Sequence, residues 1–278
     1  TLFLKLFDSQ VQPIMQYGSE IWGLYGGAAE HCEKVHLFAL KKFLGVDRRT
    51  PNDLVYGEMN RYPITINSTV SSIRYWLKLT QMEAERLPRK AYVMLCELDR
   101  RGKTTWVTNV RKCLFQFGFG FVWLNQGVGG VNNFLRLFKK RLIDCRWQVW
   151  NDHIQNSERF TMYRMFCNPL HCTQTYLLAD IDRHIKFIMT RFRFGISAIT
   201  CNFYRYKNHT DNDLICPLCK EDTEDEIHFL LCCPFLQNIR NKYIAPKYFR
   251  DPNLFRFRLL MSATNTETVK KRPLHLSV

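Results

Sequence analysis

The residues best equipped for chemistry lie in the stretch CPLCKEDTEDEIHFLLCCP, which runs from Cys216 to Pro234. Cys216 and Cys219 flank Pro-Leu, the spacing of one tight knuckle of backbone around a metal ion. His228 follows, and Cys232 and Cys233 stand side by side before Pro234, so the pattern is C-x2-C-x8-H and then x3-C or x4-C. Zn²⁺ takes four soft or borderline donors in a tetrahedron, and short-spaced cysteines and histidines supply them. With all four positions filled by protein, no water position remains, and such a site holds structure rather than carrying out a reaction. Helical periodicity favours Cys232, on the same helical face as His228. Cys233 instead sits where Pro234 helps end the helix and the backbone can swing. On the residues alone both stay open as the fourth ligand.

The element expected to position these donors is a short helix. Thr223 and Glu226 have capping-box spacing, which predicts a helix from near Thr223 with His228 in its middle. The intervening acids, Glu221, Asp222, Glu224, Asp225 and Glu226, read as a solvated helix start placed well for the dipole and repellent to phosphate.

Lys and Arg number 40 against 25 Asp and Glu, a formal charge of +15, which points to a polyanionic partner and to nucleic acid ahead of lipid. From Arg183 to Thr210 there is no acidic residue, and cations alternate with aromatic side chains. Cations bind phosphate oxygens and aromatic faces stack bases, so Arg191, Arg193, Tyr204, Arg205, Tyr206 and Lys207 are the candidate contacts to RNA or DNA. The stretch from Arg136 to Arg146 and the tail Lys270-Lys271-Arg272 are weaker basic patches.

Around these sites the chain reads as mostly α. Helical patterns are expected over Leu2–Met15, Glu30–Leu44 (with Lys41 and Lys42 turned outward), Pro63–Met82, Ala91–Leu98, Thr104–Phe117, a helix from Asn132 and Tyr176–Phe192. The Asn132 helix places Phe134, Leu137, Phe138, Leu142 and Trp147 on one side. The segment FGFGFVWLNQGVGG reads as a bend or linker, with a domain boundary near Gly129–Gly130. The expected divisions are residues 1–128, a helical and linker region; 131–210, a basic helical region; 211–245, the zinc module; and 246–278, a basic tail.

Eleven cysteines are an odd number, several lie inside apolar helical patterns, and no secretory leader opens the sequence, so a reducing compartment is expected. No apolar run is long enough to span a bilayer, and neither a membrane nor a small-molecule substrate is expected as a partner. P-loop, dinucleotide-binding, HExxH and nucleophile-elbow patterns are missing. The only close acidic pair, Asp180 and Asp182, is expected to point apart on a helix rather than to hold two metal ions. The first residue is Thr1 and the sequence opens directly on an amphipathic pattern, so a fragment of a longer protein is expected.

YGSEIWG (Tyr17 to Gly23) and VHLFALKKFLGVDRRTPNDLVYGEMNRYPI (Val35 to Ile64) resemble the region after the catalytic palm in non-LTR (LINE-type) retrotransposon reverse transcriptases. RFRFGI, RYKN and CPLC…EIHFLLCCPF resemble the carboxy-terminal part of the same polyproteins, in the same order. The resemblance implies a noncatalytic fragment: the end of the thumb, a helical linker and a CCHC module, without palm aspartates or endonuclease. Its metal ligands would be Cys216, Cys219, His228 and Cys233, since the family's last cysteine lies directly before Pro. Its partners would be RNA or DNA and the rest of the parent polyprotein, in the nucleus or a cytoplasmic ribonucleoprotein. The competing expectation is a zinc-stabilised helical protein-interaction module from a decayed or reused element.

Overall fold

Glycines bracket the helix Ser19–Trp22 because its backbone lies almost against that of another helix. Gly18 takes a left-handed φ of 69° to start it. At Gly23 an added Cβ would lie 2.5 Å from the Ser68 carbonyl oxygen of the helix Thr65–Thr80. Ser68 and Ser72 keep that approach close, and the buried Ser72 hydroxyl donates to the Ser19 carbonyl at 3.0 Å. The Thr65–Thr80 helix turns Ile66, Val70, Ile73, Trp76 and Leu77 inward, as its 3.6-residue periodicity predicts.

The structure is a computed structural model and describes residues 2–166, 174–199 and 214–262. Its elements are almost all helical; the β-type pairing seen among the described residues is the isolated bridge Ile215–Thr223. Two compact units form, one from Thr1–Phe43 and Arg61–His153, the other from Leu44–Asn60 and Ile154–Val278. The expected divisions at 128 and 210 therefore do not match the compact units, and a stretch near residue 50 belongs with the carboxy-terminal half.

In the first unit the helices Thr65–Thr80, Leu87–Arg100, Trp106–Gln116 and Val131–Asn156 share one apolar core. Gly129–Gly130 is a turn inside this unit rather than a boundary. The glycine- and aromatic-rich segment before it contains the helix Gly120–Leu124, whose Val122 is fully buried. Phe119 meets the Phe134 and Phe138 rings edge-on at 5.3 and 5.6 Å, and Trp123 stacks on Trp76 at 5.6 Å. Those aromatic contacts hold as core what composition alone presents as linker. On Val131–Asn156, Leu135 is buried and Leu137 exposed, so the apolar face is shifted from the expected one. The helix Gly26–Leu44 likewise turns Leu37, Leu40, Lys41 and Leu44 inward, against the outward expectation for Lys41.

The second unit is fastened by a buried ion pair. Glu58, on the helix Asn52–Met59, is fully buried and accepts from Arg193 Nε at 2.6 Å and from its second nitrogen at 3.2 Å. The Tyr176 hydroxyl donates to the same carboxylate at 2.7 Å and lies 2.8 Å from the Thr190 hydroxyl. Both carboxylate oxygens are thus occupied, the condition under which a buried charge pair is tolerated. The Tyr176–Phe192 pattern is two helices, Thr175–Leu178 and Arg183–Phe194, and Asp182 caps the second by accepting from the His184 N–H at 2.7 Å. Asp180 and Asp182 therefore lie in the break, not on a helix as expected.

Met162, Phe166, Leu231, Tyr248, Phe257 and Met261 form one apolar cluster of this unit. The expected basic tail is thus core up to the helix Leu254–Ser262, and Lys270-Lys271-Arg272 lies outside the described residues.

Gly23→Ala is expected to destabilise the first unit by ~1–3 kcal/mol, because the Ser68 backbone has to move away. Urea denaturation of the full chain measures this, and a change within a few tenths would contradict the close approach.

Candidate metal centre

The four donors come from two local structures. Pro217 to Lys220 form the knuckle: the Lys220 N–H donates to the Cys216 carbonyl at 2.9 Å, and Lys220 takes a left-handed φ of 59°. The chain then returns beside itself, with the Cys216 N–H on the Asp222 carbonyl at 2.8 Å and the Glu224 N–H on the Leu214 carbonyl at 2.9 Å. Thr223 pairs with Ile215 in this return, so it is not the helix cap. Asp225 takes that role, its Oδ1 accepting from the His228 N–H at 2.7 Å, and the helix runs from 226 to 232. Glu224 and Glu226 are buried rather than solvated, leaving Glu221 and Asp222 as the exposed acids of this loop.

The choice between the adjacent cysteines follows from the turn that carries them. His228–Cys232 is a π turn, and the Cys233 N–H donates to the His228 carbonyl at 2.7 Å, five residues back. That wider turn brings residue 233 back toward His228, where a regular α-helix would bring residue 232. Cys233 leaves the helix with φ −47° and ψ 117°, the extended conformation that a following proline favours. Cys232 packs instead against the apolar cluster around Leu231 and Phe257.

Cys216, Cys219, His228 and Cys233 place one donor atom each within 4.8 Å of all the others. The Cys216 and Cys233 sulfurs are 4.0 Å apart, and Cys219 Sγ is 3.3 Å from His228 Nε2. Metal–sulfur bonds of about 2.3 Å in a tetrahedron require sulfur–sulfur edges of about 3.8 Å, so the set is of a size to hold a metal ion and is compatible with zinc.

The electrostatics are uneven without a cation. The Glu221 backbone N–H leads the groups that hold the Cys219 thiol down at about 7, with the Cys216 and His228 side chains and the Asp222 N–H adding to it against partial burial. Burial pushes the Cys233 and Cys232 thiols up. A bound ion would draw the ligand thiols into the thiolate form. His228 Nδ1 is buried without a hydrogen-bond partner and lies 3.7 Å from Asp222 Oδ2, near enough for that carboxylate to orient the ring.

Arg240 completes the surround and was not singled out by the sequence reading. It is buried on the helix Gln237–Tyr243, donates from Nε to the Leu230 carbonyl at 2.9 Å and from Nη2 to the Cys233 carbonyl at 2.9 Å. Those bonds satisfy carbonyls of the closing turn and put a positive charge beside the thiols. Its signal in the sequence was only a cation shortly after a proline.

The expected nucleic-acid contacts divide. Arg191 is exposed and donates from Nε and Nη2 to the Gly45 carbonyl at 3.2 and 3.0 Å. Arg193 is withdrawn: it is 2% exposed, paired with Glu58, and stacked over the Phe166 and Tyr176 rings at 4.9 and 5.5 Å. It stands in the core because its neighbour two positions back occupies the solvent face of the same helix. Tyr204, Arg205, Tyr206 and Lys207 lie outside the described residues. Among the described helices none is long and apolar enough to cross a membrane. No family model, curated protein or solved structure matches this chain.

Cys233→Ser is expected to abolish stoichiometric metal binding, whereas Cys232→Ser should retain it; elemental analysis of both proteins decides, and the opposite result reverses the ligand assignment. Arg193→Met strands a buried carboxylate and is expected to cost ~3–5 kcal/mol in chemical denaturation. A stability unchanged from wild type would mean the pair does not fasten the second unit.

Proposed function

We propose that this chain is the noncatalytic carboxy-terminal part of a non-LTR retrotransposon reverse transcriptase, which holds one structural zinc ion and binds nucleic acid, template RNA or target DNA. The observation that carries the reading is the identity of the fourth donor. The family resemblance selects Cys233 over Cys232, and the π turn independently brings Cys233 to the other three donors.

Three thiols and one imidazole suit zinc, and filling all four positions with protein leaves the ion no open site for a substrate. Zinc would supply folding free energy, on the order of 10 kcal/mol in comparable small modules, and tie the knuckle to the π turn. Binding of a polyanion draws on the net charge of +15. Arg136, Lys139, Lys140 and Arg141 are all exposed on one helix of the first unit, and Arg191 is exposed on the second.

A second reading is favoured by one specific observation. Leu2, Ile14 and Tyr17 of the first unit are 72, 78 and 88% exposed, which suits a zinc-stabilised module that docks on another protein surface.

The two readings separate in one experiment on full chain purified without chelator. The first predicts one zinc per chain and an affinity for single-stranded RNA that falls steeply as salt rises. One zinc with no RNA affinity even at low salt would leave the interaction module, and no bound metal would sink both.

A further inference from the structure

Three arginines far apart in the sequence line one cleft of the second unit. Arg49, Arg159 and Arg191 come from separate segments and surround a space of about 620 Å³ together with Asp47, Pro51 and Ile196. We propose that this cleft is a phosphodiester-binding subsite for a single-stranded nucleic acid. The ligand class rests on the nucleic-acid reading above; the affinity for an anion rests on the cleft alone.

Each of the three arginines is placed by its own local device. Gly45 has φ 67° and the Phe187 ring lies 2.2 Å from where a Cβ would stand, so this position admits only glycine and its carbonyl is fixed in place. That carbonyl takes two donors of Arg191, which leaves the remaining N–H groups of the fork for a ligand. Arg49 sits in the turn that follows, where Asp47 Oδ1 accepts from the Arg49 backbone N–H at 2.8 Å. Arg159 sits on the single turn Glu158–Phe160, which is anchored by buried Phe160.

The chemistry follows from these positions. Among the described residues Asp47 is the carboxylate that lines the cleft, and one of its oxygens is already engaged with the backbone. Guanidinium forks match phosphate oxygens in pairs, and a cation cluster built from arginine rather than lysine is suited to that geometry. The volume falls within the range of small-ligand pockets and accommodates one nucleotide. Pro51, Ile196 and Ala198 supply an apolar wall, which a base can reach only when it is unpaired. Arg191 is therefore part of a phosphate clamp assembled across the fold, rather than of a linear basic tract.

The test uses the zinc-loaded full chain and the variant Arg49→Gln/Arg159→Gln, with Arg191 left in place because it holds Gly45. Fluorescence anisotropy with a labelled single-stranded RNA of about twelve nucleotides reads affinity across a salt series. Loss of two phosphate contacts is expected to weaken binding about tenfold or more and to lower the slope of log K against log salt by about 1.4. The pair Arg49→Lys/Arg159→Lys should keep most of that slope while losing part of the affinity, an outcome that a misfolded variant would not give. RNA affinity and slope unchanged in the glutamine variant would overturn the subsite and leave the broader reading standing. If wild type fails to bind RNA yet binds uridine 5′-monophosphate in calorimetry, and the glutamine variant does not, the anion site stands and the nucleic-acid reading falls. Failure of wild type to bind either ligand overturns both.

Discussion

Three thiols and an imidazole whose donor atoms all lie within 4.8 Å of one another form a set that repels itself once the sulfurs ionise. A central cation reverses the sign of that interaction, and much of the surrounding local structure reads as a means of presenting the donors to one. The knuckle aims backbone N–H groups at Cys219, the return pairing Ile215–Thr223 closes the loop, and Asp225 starts the helix that delivers His228. Arg240 then ties off the Leu230 and Cys233 carbonyls where the helix opens into a π turn. The site is joined to the rest of its unit through Leu231, which enters the same apolar cluster as Tyr248 and Phe257.

A second constraint governs which cations are available to a ligand. Glu58 and Arg193 are separated by more than a hundred residues and both lie in the interior, so each is neutralised by the other while Tyr176 fills the remaining acceptor position. That pairing brings the stretch around residue 50 into the carboxy-terminal unit. Its consequence is an arrangement in which Arg49 and Arg191 line one cleft while Arg193, two residues from Arg191, is removed from solvent. A basic tract in one dimension thus becomes a mixture of structural and accessible charges in three.

The two units differ in what holds them. The first relies on aromatic packing and on a serine–glycine contact between helices, with Trp76 donating to Tyr92 in the core and Tyr92 to Gln126 at its edge. The second combines an apolar cluster around Leu231 and Phe257 with the buried Glu58–Arg193 pair and the donor set.

Helical periodicity, proline and glycine positions were enough to establish a mostly α chain, the helix Thr65–Thr80 with its inward face, and a donor set of Cys216, Cys219 and His228. Those features are local, and the sequence by itself determined them. Whether Phe119 to Trp123 form linker or core, which of two adjacent cysteines reaches the centre, and whether Arg193 meets water or Glu58 were settled only by tertiary structure. Each depends on a partner distant in sequence or on a departure from regular helix geometry. The same residue types satisfy either outcome until the rest of the chain has supplied the surface against which they pack.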